Sequence, residues 1–314
     1  MTDRPIRTVL VDCLGVTDKD VVLVVTDPKR RPIAARLVDG ARAIGAETVL
    51  IDMSERETHG TEPPASVAAA MLECDVFIAP TTKSLSHTQA RKAANERGVR
   101  AATMPQITED MLERTMAADY AQVRHRSGLL AEALTAGSQV GITSEQGTDL
   151  TLSIEGRTGI SDDGDLREPG SFGNLPAGEG FIAPVEGRTD GVIVFDGSIW
   201  PTGLLEEPLV VGIEAGYAVD ISGWRAEEFK KTLEPHGREA FAVAELGIGT
   251  NDAARLTGNV LEDEKILGTI HLAFGDNHTF GGTIRVSSHQ DGIVMTPSLT
   301  IDDQPYLEAG RLLV

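Results

Sequence analysis

The sequence changes texture near residue 137, and that change constrains the fold more than any other feature. Before it, short apolar, β-branched runs such as "DVVLVVTD", "ETVLID", "DVFIAPT" and "VRAATM" alternate with helical stretches such as "RRPIAARLVDGARAIGA", "PASVAAAMLEC" and "SHTQARKAANERG". Strands that alternate with helices of this length imply right-handed βαβ units and a parallel sheet. After it come short runs broken by Gly, Asp and Asn: "SQVGITSEQGTDLTLSIEGRTG", "TDGVIVFDGSIW", "LLEEPLVVGIEAGYAVDISG" and "TIRVSSHQDGIVMTPSLTIDD". That pattern belongs to an antiparallel, β-rich region, interrupted by one helix, "WRAEEFKKTLEPHG". The predicted architecture is an α/β domain with a parallel sheet over residues 1–137 and a β-rich α+β domain over residues 138–314. A helical run over residues 107–136, opened by Thr108, is expected to join them.

Charge and composition then exclude several partners. The formal net charge of −20 argues against nucleic acid and anionic membrane as partners, because the long-range field repels both. No apolar run approaches the roughly 20 residues of a membrane span. The stretch "MTDRPIRTVLVD" lacks the apolar core of a secretory signal, and only two cysteines, Cys13 and Cys74, are present. A cytoplasmic chain without a disulfide framework is the expectation. There is no G-x-G-x-x-G after the first strand and no phosphate-binding G-x-x-x-x-G-K-[ST], so no nucleotide cofactor is indicated. No G-x-S-x-G elbow occurs, and both cysteines lie beside apolar runs, which disfavours a nucleophilic Ser or Cys.

What remains is metal chemistry. In "SSHQDGIV", His289 and Asp291 stand two residues apart in a strand pattern, so both project from the same face. Glu179 follows a Pro-Ala-Gly turn, Glu245 sits between Ala244 and Leu246, and His271 sits between Ile270 and Leu272. Charged or ionisable groups in apolar strands cost several kcal/mol unless they are paired. A divalent metal is one compensator and a buried ion pair with Lys or Arg is the other. His87, at the start of a helix that follows a strand, either faces a site at the C-terminal end of the parallel sheet or caps that helix. His278, in "GDNH", is a candidate proton carrier or a solvated turn residue. The run Glu262, Asp263, Glu264 reads as a solvated acidic stretch.

The segments "NLPAGEGFIAP", "AELGIGTN", "EDEKILGTIHLAFGDN" and "SSHQDGIV" together resemble the metal-binding motifs of the leucyl aminopeptidase family of aminopeptidases T and S. The resemblance implies a homodimeric metallopeptidase with two divalent ions, usually zinc or cobalt, held here by Glu179, Glu245, His271, His289 and Asp291. The tyrosine that many members carry seven residues after the third ligand falls at His278. The first half, with "APTTKSLSHTQARKAANERG" and "MPQITEDMLERTMAADY", resembles a second branch, the 2,5-dihydroxypyridine dioxygenases. That resemblance implies one Fe(II) on two histidines and one aspartate, with the H-x-D pair at His289 and Asp291 and a substrate-pocket histidine near His87. It also aligns the other iron-binding histidine with Glu245, where this chain departs from the pattern.

Metal-dependent hydrolysis of a small amide or N-terminal peptide bond, with zinc, cobalt or manganese, is therefore the leading expectation. His87 and His278 would serve the substrate or its protons. The alternative is an Fe(II) ring-cleaving dioxygenase, with His271, His289 and Asp291 as a two-histidine, one-carboxylate triad. A metal-stabilised dimerisation module is a third, non-enzymatic reading.

Overall fold

The computed structural model describes residues 3–314; Met1 and Thr2, the first residues read for a targeting signal, lie outside them. Two compact units make up the chain, Met1–Ala121 with Gly164–Ala177, and Gln122–Asp163 with Gly178–Val314.

In the first unit a short helix α1 (Arg4–Arg7) precedes β1 (Val21–Thr26), α2 (Arg31–Ile44), β2 (Glu47–Asp52), α3 (Ala65–Met71), β3 (Val76–Thr81), α4 (Gln89–Glu96), β4 (Arg100–Pro105) and α5 (Glu109–Thr115). The strands form a five-stranded, wholly parallel sheet in the order β2-β1-β3-β4-β8, where β8 is Phe172–Asn174. β3 is buried along its whole length, as a strand covered on both faces must be. The order of elements is the one the βαβ pattern predicts. One local feature is not. The helical run expected over residues 107–136 breaks at Met116–Asp119 into α5 and a separate helix α6 (Tyr120–Ala136). Thr108 does cap α5, accepting from the Met111 amide.

The division expected at residue 137 marks the end of α6. The structure assigns that helix from Gln122 onward to the second unit and returns 164–177 to the first. The physical reason is β8, which pairs with β4 and completes the parallel sheet from a distant part of the sequence.

The second unit consists of β5 (Gln139–Ser144), β6 (Asp149–Ser153), β7 (Ile160–Asp162), β9 (Glu179–Ile182), β10 (Thr189–Phe195), β11 (Ser198–Ile199), β12 (Gly203–Leu204), β13 (Leu209–Glu214), β14 (Tyr217–Gly223), α7 (Ala226–Leu233), β15 (Val243–Gly249), α8 (Val260–Asp263), β16 (Ile270–Gly275), β17 (His289–Val294), β18 (Pro297–Ile301), β19 (Gln304–Glu308) and β20 (Arg311–Leu312). These strands build two antiparallel sheets, one in the order β14-β13-β10-β6-β5-β18-β19-β20 and one in the order β12-β11-β17-β16-β15-β9-β7. One apolar core serves both: Val140, Leu150, Ile193 and Val211 from the first meet Ile182, Leu246, Leu272 and Val294 from the second. Leu130 and Leu134 of α6 and Phe229 of α7 join it. Among the described residues no helix is long and apolar enough to cross a membrane.

Candidate metal centre

Alternation along four neighbouring strands of the seven-stranded sheet assembles the cluster. In β15 and β16, Leu246, Ile248, Leu272 and Phe274 face the core, so Glu245, Gly247, His271 and Ala273 project from the opposite face. Register then aligns them: Glu245 opposes Ala273, which opposes Asp291; Gly247 opposes His271; Gly275 opposes His289; Gly249 opposes Glu179. The small partners are required. A Cβ at position 247 would lie 2.9 Å from His271 Nδ1 and closer still to Cε1 and Nε2, so the glycine opens the space the imidazole fills.

All five residues expected as ligands come together. Glu245 is the hub: Oε1 lies 3.3 Å from His271 Nε2, and Oε2 lies 3.3 Å from His289 Nε2. His289 Nε2 is also 3.4 Å from Asp291 Oδ1, and His271 Nε2 is 3.3 Å from Glu179 Oε2. His271 is closed off at 1 % side-chain exposure while His289 retains 31 %, so the cluster opens on the His289 side. Phe280 and His289 pack edge-to-face, with ring centroids 5.9 Å apart.

The donor atoms are poised for a cation. His289 Nδ1 donates to the Asp276 carbonyl at 2.8 Å, which leaves the lone pair of the neutral ring on Nε2, aimed at two carboxylates. Acceptors facing acceptors need a proton or a metal between them. Glu179 Oε2 and His271 Nδ1 are buried without a hydrogen-bond partner among the described residues. Neutral imidazole nitrogens and carboxylate oxygens are the donor set of Zn, Mn and non-haem Fe(II), so the residues fit a divalent ion.

Without a metal, protons supply the missing positive charge. Burial alone would depress His271, but Glu179 and Glu245 outweigh it and hold the imidazole up at about 9. Burial likewise opposes a charged His289, and Asp291 with Glu245 raises it well above its ordinary value. Burial pushes Glu179 up to about 8, against the pull of Lys265. Glu245 goes the other way: its bonds to the two histidines overcome burial and hold it far below the carboxylate range.

Sequence reasoning missed three members of the neighbourhood. Lys265 is buried and its Nζ meets Glu179 Oε1 at 2.6 Å, Glu264 Oε1 at 2.9 Å and Asp162 Oδ2 at 3.1 Å. Glu179, Glu264 and His271 each present a ligand atom within 4.8 Å of the others. The solvated reading of residues 262–264 is thus corrected: Glu262 and Asp263 are fully buried and Glu264 nearly so. Glu262 accepts from the Arg255 amide, and Asp263 accepts from Ser198, Thr257 and Gly258. Burial raises Asp263 despite those bonds. The available signal was Lys265 itself, a lone cation between an acidic run and the apolar strand that carries His271.

The two residues assigned to substrate or proton work lie differently. His278 is half-buried, its Nδ1 2.8 Å from the Asp276 carboxylate, so it is linked to His289 through Asp276. His87 is an exposed turn residue of the first unit. The capping alternative for His87 fails, because Thr88 caps α4 by accepting from the Arg91 amide.

The sequence model of a family described as 2,5-dihydroxypyridine 5,6-dioxygenase (NicX) matches residues 4–314. The chain belongs to this family. Among solved structures, a 2,5-dihydroxypyridine dioxygenase from Pseudomonas putida KT2440 superposes with a TM-score of 0.84 at 18 % identity, covering 98 % of this chain and 96 % of that one. Wild-type AmpT from Thermus thermophilus superposes with a TM-score of 0.73 at 16 % identity, covering 99 % and 98 %. At these identities the likeness is one of fold. No curated protein sequence matches the chain. The dual resemblance read from the motifs therefore stands at the level of fold, and the family is that of the dioxygenases.

Proposed function

We propose that this protein is an Fe(II)-dependent dioxygenase that opens a dihydroxypyridine or catechol-like ring. The observation that carries the proposal is the family match across residues 4–314. It reverses the order of the two readings drawn from the sequence, in which hydrolysis came first. His271, His289 and Asp291 would hold the metal, with Glu245 between the two histidines. When bound there, Fe(II) would offer open coordination positions for an oxygen substituent of the ring and for O₂.

The chain's own residues have definable tasks. Asp276 fixes the His289 ring through its carbonyl, so that Nε2 faces the cluster. Glu245 takes the position between both Nε2 atoms and keeps its negative charge. Lys265 holds one oxygen of Glu179 and leaves the other turned towards His271. The apolar ring of Phe280 packs against one side of His289, and the exposed side of that imidazole is the route by which a flat substrate reaches the cluster. His87 keeps the substrate role that the dioxygenase resemblance implies.

One feature supports the second reading, metal-assisted hydrolysis of a small amide: Glu245 and Glu179 give a five-donor set richer in carboxylate than a two-histidine, one-aspartate triad. Oxygen uptake separates the two. Protein loaded anaerobically with Fe(II) and then given O₂ and 2,5-dihydroxypyridine, or a catechol, is expected to consume O₂ in step with loss of the aromatic absorbance. Turnover of amino-acid anilides by zinc- or manganese-loaded protein, with no O₂ uptake by the iron form, would restore hydrolysis to first place.

A further inference from the structure

We infer that Lys265 is a built-in cation occupying one of two adjoining cation positions, so that the centre accepts a single divalent ion. The inference rests on the reading that His271, His289, Glu245 and Asp291 hold a metal. It assigns to Lys265 the part that a second metal ion would otherwise play.

The geometry around Nζ is that of a cation site. Three carboxylate oxygens from three separate segments, Glu179, Glu264 and Asp162, stand 2.6, 2.9 and 3.1 Å from it. An ammonium has three donors, and each finds one acceptor. The group is closed from solvent, with 2 % side-chain exposure, so the pairing is between an enclosed charge and three oxygens rather than a surface contact. The backbone of Lys265 is pinned as well: its amide donates to the Glu262 carbonyl, and its carbonyl accepts from the Asn251 amide at 2.8 Å. Neither end of the residue is free to swing the ammonium away.

Glu179 joins this position to the histidine cluster. Its Oε1 binds Lys265 and its Oε2 lies 3.3 Å from His271 Nε2. A carboxylate divided in this way is what two-metal sites use to bridge ions about 3.5–4 Å apart. Glu264 also serves both sides, with one oxygen on Lys265 and a ligand atom grouped with Glu179 and His271. Two cation compartments therefore share a wall, and in one of them the cation is covalently part of the chain. Its oxygens lie 2.6–3.1 Å from nitrogen. Divalent ions draw such oxygens in to about 2.0–2.6 Å, so removing the ammonium leaves a pocket that needs only a modest contraction to hold a metal. Lys265 is a positioning residue: it carries no chemistry to the substrate, and it fixes how many ions the centre holds and which oxygen of Glu179 faces His271.

The test is metal stoichiometry with Mn(II) as the probe. Metal-stripped wild-type protein and Lys265→Arg are expected to retain one Mn(II) per chain after equilibration in excess metal and gel filtration. Lys265→Ala is expected to retain two, and its melting temperature to rise further on the second equivalent. Where Lys265→Ala does not fold, Lys265→Ala/Glu264→Gln removes one uncompensated carboxylate and carries the same expectation. Two ions on wild type, or one ion on a folded variant lacking Lys265, would overturn the inference while leaving the metal centre standing. No ion on wild type would remove the metal centre and the inference together.

Discussion

Replacing Gly247 by alanine isolates His271 without touching any candidate ligand. A Cβ at 247 would fall 2.9 Å from His271 Nδ1 and nearer still to Cε1 and Nε2. Ordinary carbon contacts begin at about 3.5 Å, so the ring has to withdraw by more than about 1 Å. Behind it the residue is fully enclosed, and overpacking of this kind costs about 1–3 kcal/mol. In a chain of this length that corresponds to a fall of a few degrees in melting temperature, at roughly 2–4 °C per kcal/mol. The larger effect is on the centre. A displacement of about 1 Å separates Nε2 from the position it shares with Glu179 and Glu245, and disturbing the support of a metal ligand costs roughly 10–100-fold in metal affinity. Competition against a fluorescent chelator would read the Mn(II) affinity, and thermal melting of the stripped protein would read the fold. His271→Ala alone is expected to lose affinity to a similar degree. Gly247→Ala/His271→Ala should recover stability, because the clash disappears, yet regain no affinity; the two substitutions are coupled. A folded Gly247→Ala protein that binds Mn(II) as wild type does would refute the role given to His271.

Three further outcomes follow from the same geometry. In metal-free protein, His271 is raised from 6.5 to about 9 and Glu179 from 4.5 to about 8. Both folded values lie above the unfolded ones, so their stabilisation is complete at low pH and is lost as pH rises, through 4.5–8 for Glu179 and 6.5–9 for His271. Melting temperature of the stripped protein should decline from about pH 6 to pH 9, and saturating Mn(II) should remove the decline; a flat profile without metal would contradict it. Asp263→Ala strips the buried acceptor from Ser198, Thr257 and Gly258, and should cost about 1–3 kcal/mol in urea unfolding with metal stoichiometry unchanged. His87→Ala should lower kcat for ring opening while leaving Mn(II) affinity intact, and an unchanged kcat would free His87 from the substrate role.

Much of this was legible because period-two alternation is a local property. Glu245, His271, His289 and Asp291 stand out in the sequence as charged or ionisable groups inside apolar runs, and a strand allows them one face. Lys265, Glu264 and Asp162 did not stand out for the opposite reason. Asp162 ends β7 and reaches the cluster through the pairing of β7 with β9, a register no periodicity encodes. Glu264 lies in an acidic run that looks solvated until the turn after α8 draws it most of the way in, against Lys265. The same limit applies to β8, three residues long, whose Phe172 pairs with Ala101, far back in the sequence, to join the parallel sheet. Short segments placed by long-range pairing carry no pattern of their own.

The arrangement also limits how many cations one sheet face can hold. Glu179, Glu245, Glu264, Asp162 and Asp291 crowd five carboxylates around two imidazoles, and such a face folds only if cations share it. The number and kind of cation then decide what the face can do. Two metal ions would leave Glu179 as a bridge and favour activation of water. One metal ion beside a fixed ammonium leaves a single open centre flanked by a carboxylate already spoken for on one oxygen. On the inference drawn above, Lys265, in the turn after α8, is the residue that sets the number of ions in this chain.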